Sequence, residues 1–305
     1  LRVYAPDYFS SEWGPGPIIQ ESFEKICDCE LKLSTGDLLP RIRLEGKAIL
    51  ADVVIGLDTD ISEVAREAGI FVEHDQDLSS LTLPISWNDR LFLPFNWSYF
   101  SFVYDNEKLL NVPNSFDDLL NNQDELKIII QDPRTSVSGL GLVLWVKSIY
   151  GDEAHVVWGK LANKIVTVTK GWSEAYGLFL EGEADMVLSF TTSPAYHLIA
   201  EEDTSKSAAI FKEGHYLFVE SVAKTLKAKD NDLADMFMSF IISESFQSKI
   251  PTSNWSYPSA LNYEKLPEGF KDLPRPAKTL LMRGEEVRKL RKIAIMEWEK
   301  ALRNN

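Results

Sequence analysis

Two hydroxyl-rich stretches follow apolar, β-prone runs. Asp132-Pro133-Arg134-Thr135-Ser136-Val137-Ser138-Gly139 comes after Lys127 to Gln131, and Thr191-Thr192-Ser193-Pro194 comes after Ala184 to Phe190. Short hydroxyls beside the unbonded N–H groups of a helix start suit an anion or the polar edge of a ring. The carboxyl end of a strand in an open α/β sheet is also where ligands bind. Ordinary helix capping is the better account of either stretch taken alone. Tryptophans in turns add a second chemistry: Trp13 stands before Gly-Pro-Gly, Trp172 after Lys-Gly, and Trp255 in Thr-Ser-Asn-Trp. Such rings either cap a core or stack on a flat or cationic solute. Trp145, Trp158 and Trp298 sit in helical patterns and are assigned to packing.

Other chemistries lack their residues. There is no G-x-S-x-G, H-E-x-x-H or P-loop, and Trp13-Gly14-Pro15-Gly16 is not a dinucleotide fingerprint. Adjacent carboxylates such as Glu201-Glu202 and Asp117-Asp118 diverge on a helix and read as solvated surface. The four histidines, His74, His155, His197 and His215, show no ligand spacing, so no metal site is expected. Cys27 and Cys29 fit either a disulfide within Cys-Asp-Cys, in an oxidising compartment, or two free thiols at a helix end. A loop that small contributes little stability. With 46 acidic against 32 basic side chains the formal charge is −14, which disfavours nucleic acid and anionic lipid and mildly favours a cationic solute. No run of 18 apolar residues exists, and Leu1 to Tyr4 reads as structure, so any secretion signal is expected to have been removed or never to have existed.

The elements that must position these residues follow from periodicity. Strands are expected at Leu1 to Tyr4, Ala51 to Gly56, Lys127 to Gln131, Ile165 to Thr169 and Ala184 to Phe190. Helices are expected from Pro17, with Ile19, Phe23 and Ile26 as a buried stripe, and over Leu142 to Tyr150. Another follows the cap Asn231, with Leu233, Met236, Phe237, Phe240 and Ile241 on one face, and a last one ends near Leu302. Strand and helix runs alternate, the pattern of an α/β fold with a largely parallel sheet. At 305 residues with 45% hydrophobic content and no linker, the chain is expected to cross between two lobes more than once. Leu91 to Tyr104 and His215 to Val222 are the expected crossing strands, and a hinge would follow from them.

Several stretches together resemble the periplasmic thiamine-binding proteins of bacterial ABC importers. They are WGPGP (13–17), CDCELKL (27–33), RLEGK (43–47), ADVVIGLD (51–58), QDPRTS (131–136), GLGL (139–142), VTVTKGWSEAYGLFL (166–180), FTTSPAYH (190–197), EGHYL (213–217) and NWSYP (254–258). The resemblance implies a type II periplasmic-binding fold of two lobes, each a mixed, mostly parallel sheet flanked by helices, with the ligand in the cleft between them. Expected lobes are 1–103 with 214–262, and 104–213 with 263–305. It implies a monomeric, non-enzymatic carrier in the periplasm that captures thiamine and its mono- and diphosphate by lobe closure and delivers them to a permease, with no cofactor. Trp13 and Trp255 are implied as aromatic walls, Trp172 and Tyr196 as cleft lining, and Ser136, Val137, Thr191, Thr192 and Ser193 as the polar or phosphate end. Stacking on the thiazolium would contribute ~1 to 2 kcal/mol per good contact.

The chain departs from the family pattern in three places. Phe190 stands in place of a Tyr, the Ser34 to Asp37 loop is shorter so that Asp37 matches an acidic pocket residue loosely, and Asn96 replaces an Asp. Other readings are a carrier for a different cationic heterocycle or thiamine precursor, and a thiamine-degrading enzyme. The last needs a nucleophilic cysteine in the cleft, and Cys27 and Cys29 lie away from the cleft segments.

Overall fold

The computed structural model describes residues 1–11, 14–121 and 126–303. The chain divides into two compact units, residues 1–97 with 219–271, and residues 98–218 with 272–305. Strands among the described residues are β1 Arg2–Ala5, β2 Lys32–Thr35, β3 Val53–Asp58, β4 Leu93–Asp105, β5 Ile128–Gln131, β6 Ile165–Thr169, β7 Met186–Phe190, β8 Lys206–Ala208, β9 His215–Lys224, β10 Tyr257–Pro258 and β11 Thr279–Leu280. The chain passes between units within β4 and within β9. Among the described residues no helix is long and apolar enough to cross a membrane.

In the first unit β1 pairs in parallel with β2 and β3, β3 pairs antiparallel with β9, and β10 pairs antiparallel with β4. Every residue of β3 is buried, as expected of a Val-Val-Ile run covered on both faces. Its register with β9 shifts between Ile55 and Leu57, so that Asp58 comes opposite Glu220. Gly56 makes this bulge feasible: it has φ +88, and a Cβ there would meet the Pro6 ring at 2.5 Å. The core on one side joins Val3, Phe9, Ile19, Phe23, Phe237 and Phe240. Phe23 sits edge-on to Phe237 at 4.9 Å. Two expected stripe residues are outside it. Ile26 is 55% exposed because it lies in the last turn of helix Gly16–Cys27, and Met236 is exposed because helix Asp232–Ile241 turns Ala234 and Met238 inward instead. Asn231 caps that helix, its side chain accepting from the N–H of Leu233.

In the second unit β5 pairs in parallel with β6 and β7, and β7 pairs antiparallel with β4, which also pairs antiparallel with β8. Helix Val137–Tyr150 starts five residues before the expected Leu142. Glycines at 139 and 141 argue for a loop by propensity, yet here they permit close approach. A Cβ on Gly139 would lie 2.4 Å from the Gln131 carbonyl oxygen, and one on Gly141 would lie 2.1 Å from the Phe100 ring. Ser138 through Lys147 are all buried. Trp145, Trp158 and Trp298 are buried, the last on the terminal helix Glu285–Arg303.

Candidate functional site

At the carboxyl end of β7 the chain makes a tight turn before helix Pro194–Ala200. The Ser193 N–H donates to the Phe190 carbonyl at 3.1 Å, and the Phe190 N–H donates back to Ser193 Oγ at 3.2 Å. Trp172, first residue of helix Trp172–Leu180, donates its indole N–H to Ser189 Oγ at 2.7 Å, and Ser189 Oγ lies 2.7 Å from Ser193 Oγ. An indole N–H can only donate. Ser189 therefore accepts from Trp172, while Ser193 accepts from Phe190, and either hydroxyl can donate to the other because each oxygen has a second lone pair. Two hydroxyl protons share the one bond between these oxygens, which leaves one proton available as a donor. Thr191 Oγ1 is buried without a hydrogen-bond partner among the described residues, while Thr192 Oγ1 is engaged with Ser98 Oγ at 3.0 Å.

The aromatic side of this turn is braced from below. Half-buried Trp172 stacks on Tyr176 at 4.9 Å, and Tyr176 stacks on His197 at 5.8 Å. Burial pushes the Tyr176 phenol pKa up, so it keeps its proton. Its hydroxyl lies 2.9 Å from His197 Nε2, while His197 Nδ1 lies 2.6 Å from Glu201 Oε2. A carboxylate only accepts, which makes Nδ1 the donor to Glu201 and leaves Nε2 for Tyr176. Half-buried Tyr196 meets the same imidazole edge-on at 5.2 Å. His197, Glu201 and Asp203 lie close enough to hold a cation, but both imidazole nitrogens are already engaged, and Asp203 receives the N–H and hydroxyl of Ser205. The trio works as a brace.

Phe190 has no hydroxyl to offer and instead joins a ring cluster, 5.2 Å from Phe100 and 5.3 Å from Phe218. Ser136 precedes helix Val137–Tyr150 and bonds Ser138 Oγ at 3.0 Å, and Ser138 donates to Gln131 Oε1 at 2.6 Å. Val137 is exposed. Ser189, Ser193, Thr191, Thr192 and Trp172 thus lie within one hydroxyl-and-indole turn, with Tyr196 behind it, and Ser136 with Val137 opens a separate helix in the same unit.

The first unit holds the remaining expected residues. Trp13 lies outside the described residues. Asp37 is exposed and precedes helix Leu38–Glu45 without a side-chain capping bond. Half-buried Trp255 has φ +50, a left-handed conformation that costs a bulky residue of order 1–3 kcal/mol and persists only where the surroundings impose it. Those surroundings are specific. Tyr257 stacks on Trp97 at 4.5 Å, Trp97 donates to the Pro258 carbonyl at 3.2 Å, and Ser256 donates to the Asn254 carbonyl at 3.2 Å.

Two residues not anticipated as site groups, Glu220 and Tyr8, meet Asn96 and Asn254 in the same unit. Glu220 is 3% exposed; it accepts from the Tyr8 hydroxyl and, at 2.8 Å, from Asn96 Nδ2, with a further hydrogen bond from Asn254. Burial pushes the Glu220 carboxyl up to about 7; the donors Tyr8 and Asn96 work against that, and the charge of Asp58 adds to it. Tyr8 is 38% exposed, yet its phenol behaves as a fully buried group, with its pKa well above the ordinary value. The two fit together when the ring edge faces outward and the oxygen is turned in to Glu220. The only sequence signal was the aromatic pair Tyr8-Phe9 ahead of Trp13-Gly-Pro-Gly, whose Phe9 is fully buried and anchors the turn. Cys27 and Cys29 form a disulfide, so neither thiolate is available as a nucleophile.

Comparison with known proteins gives this arrangement its relatives. Residues 48–283 match the pattern described as bacterial extracellular solute-binding protein. The chain is 48% identical to the thiamine-binding periplasmic protein of Escherichia coli (strain K12), over 99% of this chain and 93% of that one. It is 46% identical to the protein of the same name from Brucella melitensis biotype 1, over 98% and 90%. A solved structure described as periplasmic thiamin binding protein superposes with a TM-score of 0.93 at 48% identity, covering 99% of this chain and 96% of the other. The family is one of binding proteins, in keeping with hydroxyls and indoles fixed in place where a catalytic site would need an activated nucleophile. On the match over 48–283 and on near-half identity along almost its whole length, the chain belongs to the bacterial extracellular solute-binding proteins.

Proposed function

We propose that this protein captures thiamine in the periplasm and delivers it to the membrane permease of an ABC importer, acting as a monomer with its two units as the lobes. The observation that carries the reading is the identity of 46–48% along 98–99% of the chain to proteins named for thiamine binding. The residues supply matching chemistry. Thiamine is a flat aminopyrimidine joined to a permanently cationic thiazolium, and Trp172, Tyr196 and Trp255 are rings suited to stacking on it. Trp13 and Asp37 belong to the same proposal through the family pattern. Ser136, Val137, Phe190, Thr191, Thr192 and Ser193 would surround the hydroxyethyl end of the ligand.

Thiamine mono- and diphosphate are included because the Ser189–Ser193 pair has one hydroxyl proton left to donate and Thr191 Oγ1 has a bond to make. Hydroxyl and backbone donors at a helix start are suited to a phosphate. Phe190 adds no phenolic donor there, which limits the preference for the esters. Calorimetric titration with thiamine and with each ester tests the reading. Saturable one-to-one binding of thiamine at submicromolar Kd is expected, and absence of heat with all three compounds overturns it.

A further inference from the structure

Glu220 stands at the junction of three segments of the first unit. It accepts from Tyr8, on the short turn Asp7–Ser10; from Asn96, on β4; and from Asn254, the residue before Trp255. It lies directly opposite Asp58 in the β3–β9 register, just past the bulge at Gly56. Like charges directly across a strand pair repel, so a second carboxylate here is an expense that packing alone does not explain. Trp255 sits in the left-handed region, and a residue of its bulk stays there only while its neighbours are fastened. Tyr257 on one side is fastened by the Trp97 stack; Asn254 on the other is fastened by Glu220.

We infer that Glu220 is a positioning residue that locks the Asn254–Trp255 turn and the Tyr8 turn to β4, holding the Trp255 ring in its binding orientation only while its carboxyl is ionised. The groups facing it from Tyr8, Asn96 and Asn254 are donors, so an ionised carboxylate matches all three. A protonated one carries an O–H that none of the three can receive as they stand, so the Tyr8 hydroxyl must turn round or one bond is lost. The titratable groups acting on Glu220 are Tyr8 and Asp58. Asp58 is committed to the helix Thr59–Arg66, where Oδ1 accepts from the N–H groups of Asp60 and Ile61, and the Tyr8 phenol keeps its proton across the working range. Glu220, with its carboxyl raised to about 7, is the group here whose charge changes near neutrality.

As a link to ligand capture this rests on the thiamine reading above, so the test has one arm without ligand. In the intact protein labelled with 5-fluorotryptophan, the Trp255 fluorine resonance is assigned as the one missing from Trp255→Phe. Its shift is expected to titrate with a midpoint near pH 7, to lose that titration in Glu220→Gln, and to titrate at higher pH in Tyr8→Phe, which removes one donor from the carboxylate. A resonance that stays put between pH 5.5 and 8.5, or titrates unchanged in Glu220→Gln or Tyr8→Phe, overturns the inference. The second arm is calorimetry with thiamine. If only the ionised form holds Trp255 in place, affinity rises about tenfold from pH 6 to pH 8, and Glu220→Gln flattens the profile. A flat wild-type profile overturns the role of Glu220 in capture, whereas no binding at any pH overturns the thiamine reading and leaves the fluorine result to judge Glu220 alone.

Discussion

Replacing Ser193 by Ala separates recognition of the ligand's tail from recognition of its rings. In the folded protein Ser193 Oγ accepts from the Phe190 N–H at 3.2 Å and lies 2.7 Å from Ser189 Oγ, a pair with one hydroxyl proton left to donate. Ala removes an acceptor and one of the two hydroxyl protons together. Ser189 is fully buried, and a stranded buried donor costs about 1–3 kcal/mol, so thermal unfolding of the ligand-free variant should move down by that amount. The lost donor matters unequally between ligands. A hydrogen bond to a phosphate oxygen contributes about 1.5–3 kcal/mol and one to a neutral hydroxyl about 0.5–1.5 kcal/mol. Thiamine monophosphate should therefore weaken roughly 10- to 150-fold and thiamine roughly 2- to 12-fold. Calorimetric Kd values for both ligands on both proteins give the selectivity directly. Trp172→Phe keeps a ring on Tyr176 and leaves both serine hydroxyls, and should change selectivity less than Ser193→Ala. Equal loss for the two ligands, or an unchanged monophosphate Kd in a folded variant, would refute donation from Ser193.

Two further outcomes concern the second unit. His215 accepts from the Phe211 N–H and donates to the Phe100 carbonyl, and burial lowers its pKa to about 4. The unfolded chain takes up a proton near pH 6.5 that the folded one refuses until about 4, so this contribution is full above pH 6.5 and falls as pH drops through that window. Chemical denaturation should show a loss of about 2 kcal/mol between pH 7.5 and pH 5 attributable to this group, absent in His215→Gln; a slope that survives the substitution assigns it elsewhere. Gly141→Ala sets a methyl 2.1 Å from the Phe100 ring, which is itself packed against Phe190 and Phe218. Overpacking of this kind costs about 1–3 kcal/mol, against the slight gain an exposed helical Gly→Ala brings, and a melting temperature at or above wild type would contradict it.

The α/β order and the buried strands were readable because continuous Val-Val-Ile and Ile-Ile-Ile runs between turn residues have few other uses. The start of helix Val137–Tyr150 was not. Its glycines look like helix breakers until the Gln131 carbonyl and the Phe100 ring that they accommodate are known. A helical stripe likewise identifies a face but not where the core ends, as Ile26 and Met236 show. The candidate site splits along the same line. Trp172 and Ser193 announce themselves by residue type, but Ser189, which joins them, is known only once the indole is seen to bond its Oγ. Tyr8 and Glu220 are 212 positions apart, and each looks like ordinary surface or strand composition alone. No local pattern encodes a contact of that separation.

Asn96 shows how a sequence-level loss can change meaning once its neighbours are visible. Against the family pattern it removes a negative charge, which suggests a weaker hold on a cation. In the structure it is fully buried and its amide donates to Glu220 Oε2 at 2.8 Å. An Asp in its place would set a third carboxylate beside Asp58 and Glu220 and offer no donor at all. Burial and mutual repulsion would then drive one of the three to stay protonated, and Glu220, already raised to about 7, is the one nearest that point. An amide at 96 thus trades a fixed charge on β4 for an ionisable one on β9. The negative potential near the Trp255 turn then depends on pH and on whatever cation approaches it, which is a useful property in a protein that must both take up a cation and let it go.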